Sequence, residues 1–91
     1  MARVARHVRV TGRVQGVFFR AWTREQANRL DVYGWVRNCA DGSVELHLEG
    51  SRESVDQLLG MLRRGPSGAR VEDRDVDAAE PQNHDWFVVK D

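Results

Sequence analysis

The sequence predicts an α+β sandwich of ferredoxin-like type, βαββαβ, in which an antiparallel sheet carries two helices on one face and a short extra strand follows at the carboxyl end. Three observations lead there. Two segments have the apolar period of helices, and each follows a segment that alternates with period two. Between the helical segments, two strand-like runs meet at Asp41-Gly42, so a hairpin lies in the middle of the chain. Right-handed crossovers joining these elements give the split βαβ arrangement.

The first strand, Val4 to Thr11, sets Val4, Arg6, Val8 and Val10 on one side and Ala5, His7 and Arg9 on the other. His7 reads as a solvated residue of the polar side. The first helix, from Phe19 to Leu30, gathers Phe19, Trp22, Ala27 and Leu30 mainly along one side, a pattern of core packing more than of a stacking platform. Tyr33 to Cys39 and Val44 to Glu49 then form the hairpin. Its Asp-Gly pair suits a tight primed turn with positive φ at both central residues. His47, flanked by Glu45 and Glu49, reads as part of a solvated charged face.

The second helix has Ser51 to cap it, Glu53 in its first turn, and a stripe of Val55, Leu58, Leu59 and Leu62. Arg63-Arg64 complement its carboxyl-terminal dipole and Gly65-Pro66 ends it. From Ala69 to Val76 a weaker strand follows, in which Val71 and Val76 are out of phase for one face, so a bulge or bend is expected. The acidic positions Glu72, Asp73, Asp75 and Asp77 fit a charged edge that blocks aggregation better than a metal site. A polar turn through Pro81, Gln82 and Asn83 precedes the closing strand Trp86-Phe87-Val88-Val89.

The composition bounds the function. Ninety-one residues suit one domain, so a single domain spanning 1–91, with the chain beginning and ending with it, is expected. Fourteen basic and fourteen acidic residues cancel, which argues against nucleic acid or an anionic membrane as partner and for a small ligand. No apolar run is long enough to span a bilayer, and Met1 to Arg6 lack the apolar core of a leader, so a cytoplasmic location is expected. Cys39 is the single cysteine, and it and the three histidines show no metal-ligand spacing. No stretch marks an oligomer interface, so a monomer is expected.

Chemistry concentrates in Gly12-Arg13-Val14-Gln15-Gly16-Val17-Phe18-Phe19-Arg20, which joins the first strand to the first helix. Glycines four apart let the backbone turn back and let a ligand approach the main chain. Consecutive N–H groups at a helix amino terminus, with a guanidinium beside them, are suited to a phosphate-sized dianion. The nucleotide P-loop ending and the dinucleotide glycine fingerprint are both missing. Taken alone, the spacing also fits an ordinary glycine-containing connection with a surface arginine.

Two stretches together are more specific: the loop just quoted, and Gly34-Trp35-Val36-Arg37-Asn38 followed by Asp41-Gly42-Ser43-Val44-Glu45. The sequence resembles the acylphosphatase family through these motifs, and the likeness continues over Glu49-Gly50, the second helix, Gly65-Pro66 and Ala69-Arg70-Val71. The resemblance implies hydrolysis of the carboxyl-phosphate bond of a small-molecule acyl phosphate, with no metal or organic cofactor. By motif matching, Arg20 and Asn38 are the catalytic residues. The backbone of Val14, Gln15, Gly16, Val17, Phe18, Phe19 and Arg20 is the phosphate cradle, Asn38 orients the attacking water, and Gln15 shapes the loop.

Elementary chemistry agrees. A carboxylate leaving group resembles ionised Asp or Glu, whose pKa is about 4, so it departs without a general acid. Positioning and charge stabilisation then carry the catalysis. Two positions depart from the common family pattern: Asp31 stands where glycine is frequent at the helix end, and Cys39 follows the catalytic asparagine. Asp31 must then tolerate or avoid a left-handed conformation, and Cys39 reads as structural. The alternative is a non-catalytic phosphate- or anion-binding regulatory module on the same fold. An RNA-recognition domain would need exposed sheet aromatics and a basic surface.

Overall fold

A computed structural model describes residues 3–90; Met1 and Ala2, which belong to the leader reading, and Asp91 lie outside them. The elements are β1 (Val4–Arg13), α1 (Phe19–Leu30), β2 (Tyr33–Asn38), β3 (Val44–Gly50), α2 (Arg52–Leu62), β4 (Arg70–Ala79) and β5 (Phe87–Val89). Strand order in the sheet is β4-β1-β3-β2-β5. The first four strands pair antiparallel, as expected, whereas β5 joins β2 in parallel. α1 packs on β2 and β5, α2 packs on β1 and β3, and the helices touch each other, so both cover one face.

Sequence periodicity accounts for that layer. Val8 and Val10 of β1, Val36 of β2, and Val44, Leu46 and Leu48 of β3 are buried together with Phe19, Ala27, Val55, Leu58 and Leu62 from the helices. Each large apolar side chain removed from water contributes about 1.5–3 kcal/mol. Ser51 caps α2 by accepting from the Ser54 N–H. Asp31 caps α1 in the left-handed region, φ 57 and ψ 44, and its N–H returns to the Ala27 carbonyl.

Opposite Gly12, β4 carries the expected bulge: Thr11 pairs with Asp73 and Gly12 with Val71, leaving Glu72 extra. That one-residue shift lets Val71 and Val76 both pack on the core. The strand runs on to Ala79, three residues beyond the expected end.

Two expectations need correction. The hairpin is not a primed two-residue turn. Gly42 has φ 92, but Asp41 is not in the positive-φ region. The Gly42 N–H donates to the Cys39 carbonyl and the Cys39 N–H to Ser43, so Ala40 and Asp41 are the central residues of a β-turn that ends on the glycine. Asp41 serves instead through its side chain, which accepts from the Ser43 N–H and hydroxyl at 2.9 and 2.6 Å. These bonds hold its carboxyl below the usual range.

The second correction concerns the face away from the helices. His47 and Glu49 are buried there, 3% and 0% exposed, not solvated. Ala79, Ala5, Glu49 and Tyr33 form one row across four strands. After Ala79 at one edge, the chain must reach Phe87 at the other, and the strap formed by residues 80–86 crosses over that row. Four interstrand steps amount to about 19 Å, within the roughly 26 Å that eight extended links can span. His7 is also less isolated than its sequence neighbours suggest, since its Nε2 lies 2.5 Å from Glu45 on the adjacent strand.

Candidate active site

After Arg13 the chain leaves the sheet, and Val14, fully buried, pins the start of the connection. Gly16 takes φ 73 and Phe18 takes φ 60, and two left-handed residues reverse the path so that α1 can start at Phe19. Among the described residues, no backbone N–H from Gln15 to Phe18 donates to another group. Phe18 is the N-cap yet makes no side-chain cap, so the first N–H groups of α1 stay open as well. The result is a run of donors at the positive end of a helix, with the geometry an anion needs.

Neighbouring elements hold this loop in place. Gln15 Nε2 donates to the carbonyls of Cys39 and Ser43 at 2.8 and 2.9 Å, tying the loop to the hairpin turn. Arg9 in turn donates to the Ser43 hydroxyl at 2.8 Å. Phe19, the first residue of α1, is buried and meets Trp22 edge-on at 5.7 Å between ring centres. Its ring closes over Gly65, where an added Cβ would lie 2.9 Å from it.

Arg20, Asn38 and the loop face one cavity of about 420 Å³, lined also by Val14, Gly16, Phe18, Phe19, Ala21 and Val89. Arg20 reaches it from the first turn of α1 and Asn38 from the end of β2. One guanidinium nitrogen of Arg20 donates to the Lys90 carbonyl at 2.7 Å, which leaves the other N–H groups for a ligand. The Asn38 side-chain oxygen is buried and has no hydrogen-bond partner. A buried unpaired acceptor is costly, so this oxygen is a polar group without a structural role of its own in a residue that lines the cavity.

Of the residues named for the site, Val14, Gly16, Phe18, Phe19, Arg20 and Asn38 line one cavity, whereas Gln15 and Val17 do not: the Gln15 side chain bonds the hairpin turn and Val17 packs partly on the core. Cys39 contributes through its backbone, since its carbonyl accepts from both Gln15 and Gly42. Sequence reasoning missed Val89 and the Lys90 carbonyl. Nothing in Trp86-Phe87-Val88-Val89 signals that its end returns to the loop. A larger hollow, about 610 Å³, opens at the start of α2 beside Arg3 and Arg52, but it includes the carboxylates of Asp31 and Glu53, which repel a phosphate.

His47, Glu49 and His84 present ligand atoms within 4.8 Å of one another, a spacing the sequence does not reveal. The carboxylate is already saturated, however. One oxygen accepts from Arg3 at 2.8 Å and the His84 N–H at 2.7 Å, and the other faces His47 Nε2 at 2.6 Å and accepts from the Gln82 N–H at 2.7 Å. A metal ion would have to displace a guanidinium, so the cluster is a fastening.

The family model for acylphosphatase matches residues 6–89. The chain belongs to the acylphosphatase family. It is 49% identical over 90 residues to an acylphosphatase of Pseudomonas paraeruginosa, with 99% of each chain covered. With an acylphosphatase of Methanothrix thermoacetophila it shares 49% identity over 82 residues, 90% of this chain and 91% of the other. Its backbone matches the solved acylphosphatase of Coxiella burnetii with a TM-score of 0.93 at 38% identity, over 97% of this chain and 93% of that one. This places an acylphosphatase, a hydrolase, on the ferredoxin-like fold the sequence predicts.

Proposed function

We propose that this acylphosphatase uses the loop Val14–Arg20 as the cradle for the transferring phosphoryl group and Asn38 to orient the attacking water, with a small-molecule acyl phosphate as substrate. The open N–H groups and the free arm of the Arg20 guanidinium would surround the phosphoryl oxygens, where charge is spread in the transition state. Arginine suits this task because its planar fork matches two oxygens at once. The single observation that carries the reading is that Asn38, whose side-chain oxygen has no hydrogen-bond partner, lines the same cavity as Arg20 and the loop.

In the reaction, water donates one hydrogen bond to the Asn38 amide oxygen and attacks phosphorus in line with the leaving carboxylate. The new O–P bond forms while the acyl O–P bond breaks, and its electron pair leaves on the carboxylate. An amide is too weak a base to take the proton of the water, so a phosphoryl oxygen of the substrate accepts it.

Hydrolysis of benzoyl phosphate by wild type, Arg20→Ala and Asn38→Ala, each checked for folding and assayed with a metal chelator present, tests the assignment. Each variant should lose at least about 10²–10³ in kcat. Wild-type protein that binds phosphate without turning over benzoyl phosphate would favour an anion-binding module instead.

A further inference from the structure

Arg20 does not aim itself. Its guanidinium is held by the Lys90 carbonyl, and the position of that carbonyl depends on β5, which has three residues and pairs with a single neighbour. So short an edge strand supplies little pairing of its own. Beyond β5, the Lys90 N–H donates to the Val36 carbonyl at 2.8 Å and its ammonium lies 4.4 Å from the centre of the Trp35 ring. Upstream, the strap 80–86 is held at two places: the Trp86 carbonyl accepts from the Gly34 N–H at 3.1 Å, and the Glu49 carboxylate takes backbone N–H groups from Gln82 and His84. Arg3 bridges the same carboxylate to the His84 carbonyl, each at 2.8 Å. His47, which faces the other carboxylate oxygen, stacks on Trp35 at 6.2 Å.

We propose that Glu49 is a positioning residue for Arg20: by clamping the strap it fixes β5 and the Lys90 carbonyl, and so sets the direction of the guanidinium in the phosphate site. The inference rests on the role of Arg20 proposed above. Glu49 itself lies on the helix-free face and touches neither the loop nor the cavity. The path runs through residues joined by hydrogen bonds or ring contacts at each step. A carboxylate with two oxygens, each accepting from more than one donor, is the group able to pin two backbone positions and a guanidinium together. Glutamine in its place would present an NH₂ to at least one of those donors.

A double-mutant cycle separates positioning from general support. Glu49→Gln should weaken inorganic phosphate binding and lower kcat/KM for benzoyl phosphate about tenfold, and should speed amide exchange at Lys90. In the Arg20→Ala background the same substitution should change phosphate binding less than twofold. Arg3→Gln, at a half-exposed position that leaves the carboxylate in place, should shift both readouts in the same direction by a smaller factor. Phosphate affinity and turnover that stay at wild-type values in folded Glu49→Gln, or an equal loss with and without Arg20, would overturn the positioning role. Undiminished turnover in Arg20→Ala would instead defeat the reading of Arg20 itself, and this inference with it.

Discussion

At the scale of single residues, two polar groups stand in opposite conditions. The Asn38 oxygen is buried without a partner and the Glu49 carboxylate is buried with a full set. For Asn38 the consequence is a separation of effects. Asn38→Ala should lower kcat while leaving phosphate inhibition near the wild-type value, whereas Asn38→Asp places a negative charge beside the phosphate and should raise KM as well. Steady-state kinetics on both variants decide it. For Glu49, hydrogen bonds from Gln82, His47, His84 and Arg3 outweigh burial and depress its pKa from 4.5 to about 2. A lowered folded-state pKa stabilises the protein above the unfolded pKa and is lost as pH falls from about 4.5 toward 2, a contribution of about 3 kcal/mol. Urea unfolding between pH 6 and pH 2.5 should show this loss, and Glu49→Gln should flatten it. The motifs singled out Arg20 and Asn38, which line one cavity, but the burial of Glu49 and His47 was not legible. The strap that covers them comes more than thirty residues later and shows no apolar period, so local alternation marked them as solvated.

At the scale of elements, periodicity and caps carried most of the information, and deviations arose where backbone conformation overrode residue preference. Asp31 holds the left-handed position that ends α1, where glycine has no steric cost. Asp31→Gly should therefore stabilise the fold by up to about 1 kcal/mol, seen as a rise of about 4–8 °C in Tm, with activity unchanged. Gly34 is the opposite case. It sits in β2 at φ 133, and a Cβ there would come 1.8 Å from the His47 carbonyl oxygen. Gly34→Ala should destabilise severely, with soluble yield and Tm as the readouts. The bulge in β4 was readable because two valines were out of phase, but the turn type at Asp41-Gly42 was not, because a side chain bonding Ser43 favours a conformation the dipeptide alone does not specify.

At the scale of the molecule, the core and the cavity share Val14 and Phe19, but most of the core lies away from the cavity. Leu58 lies at full burial on α2, away from the cavity. Leu58→Ala should cost about 2–5 kcal/mol and leave kcat per folded molecule unchanged, which thermal unfolding and active-site titration would show together. The topology also orders events in time. β1 occupies the second place in the sheet, between β3 and β4, and Arg20 meets a carbonyl seventy positions onward. During synthesis at about 5–20 residues per second, the phosphate loop leaves the ribosome early, yet its flanking strand has no partner until residues 44–50 have emerged and no second neighbour until residues 70–79 follow. Pairings so distant in sequence form slowly, on a timescale of about milliseconds to seconds. A nascent chain thus carries Arg20 unaimed for most of its elongation, and, with the role proposed for that arginine, hydrolysis should begin only after the segment around Lys90 has docked.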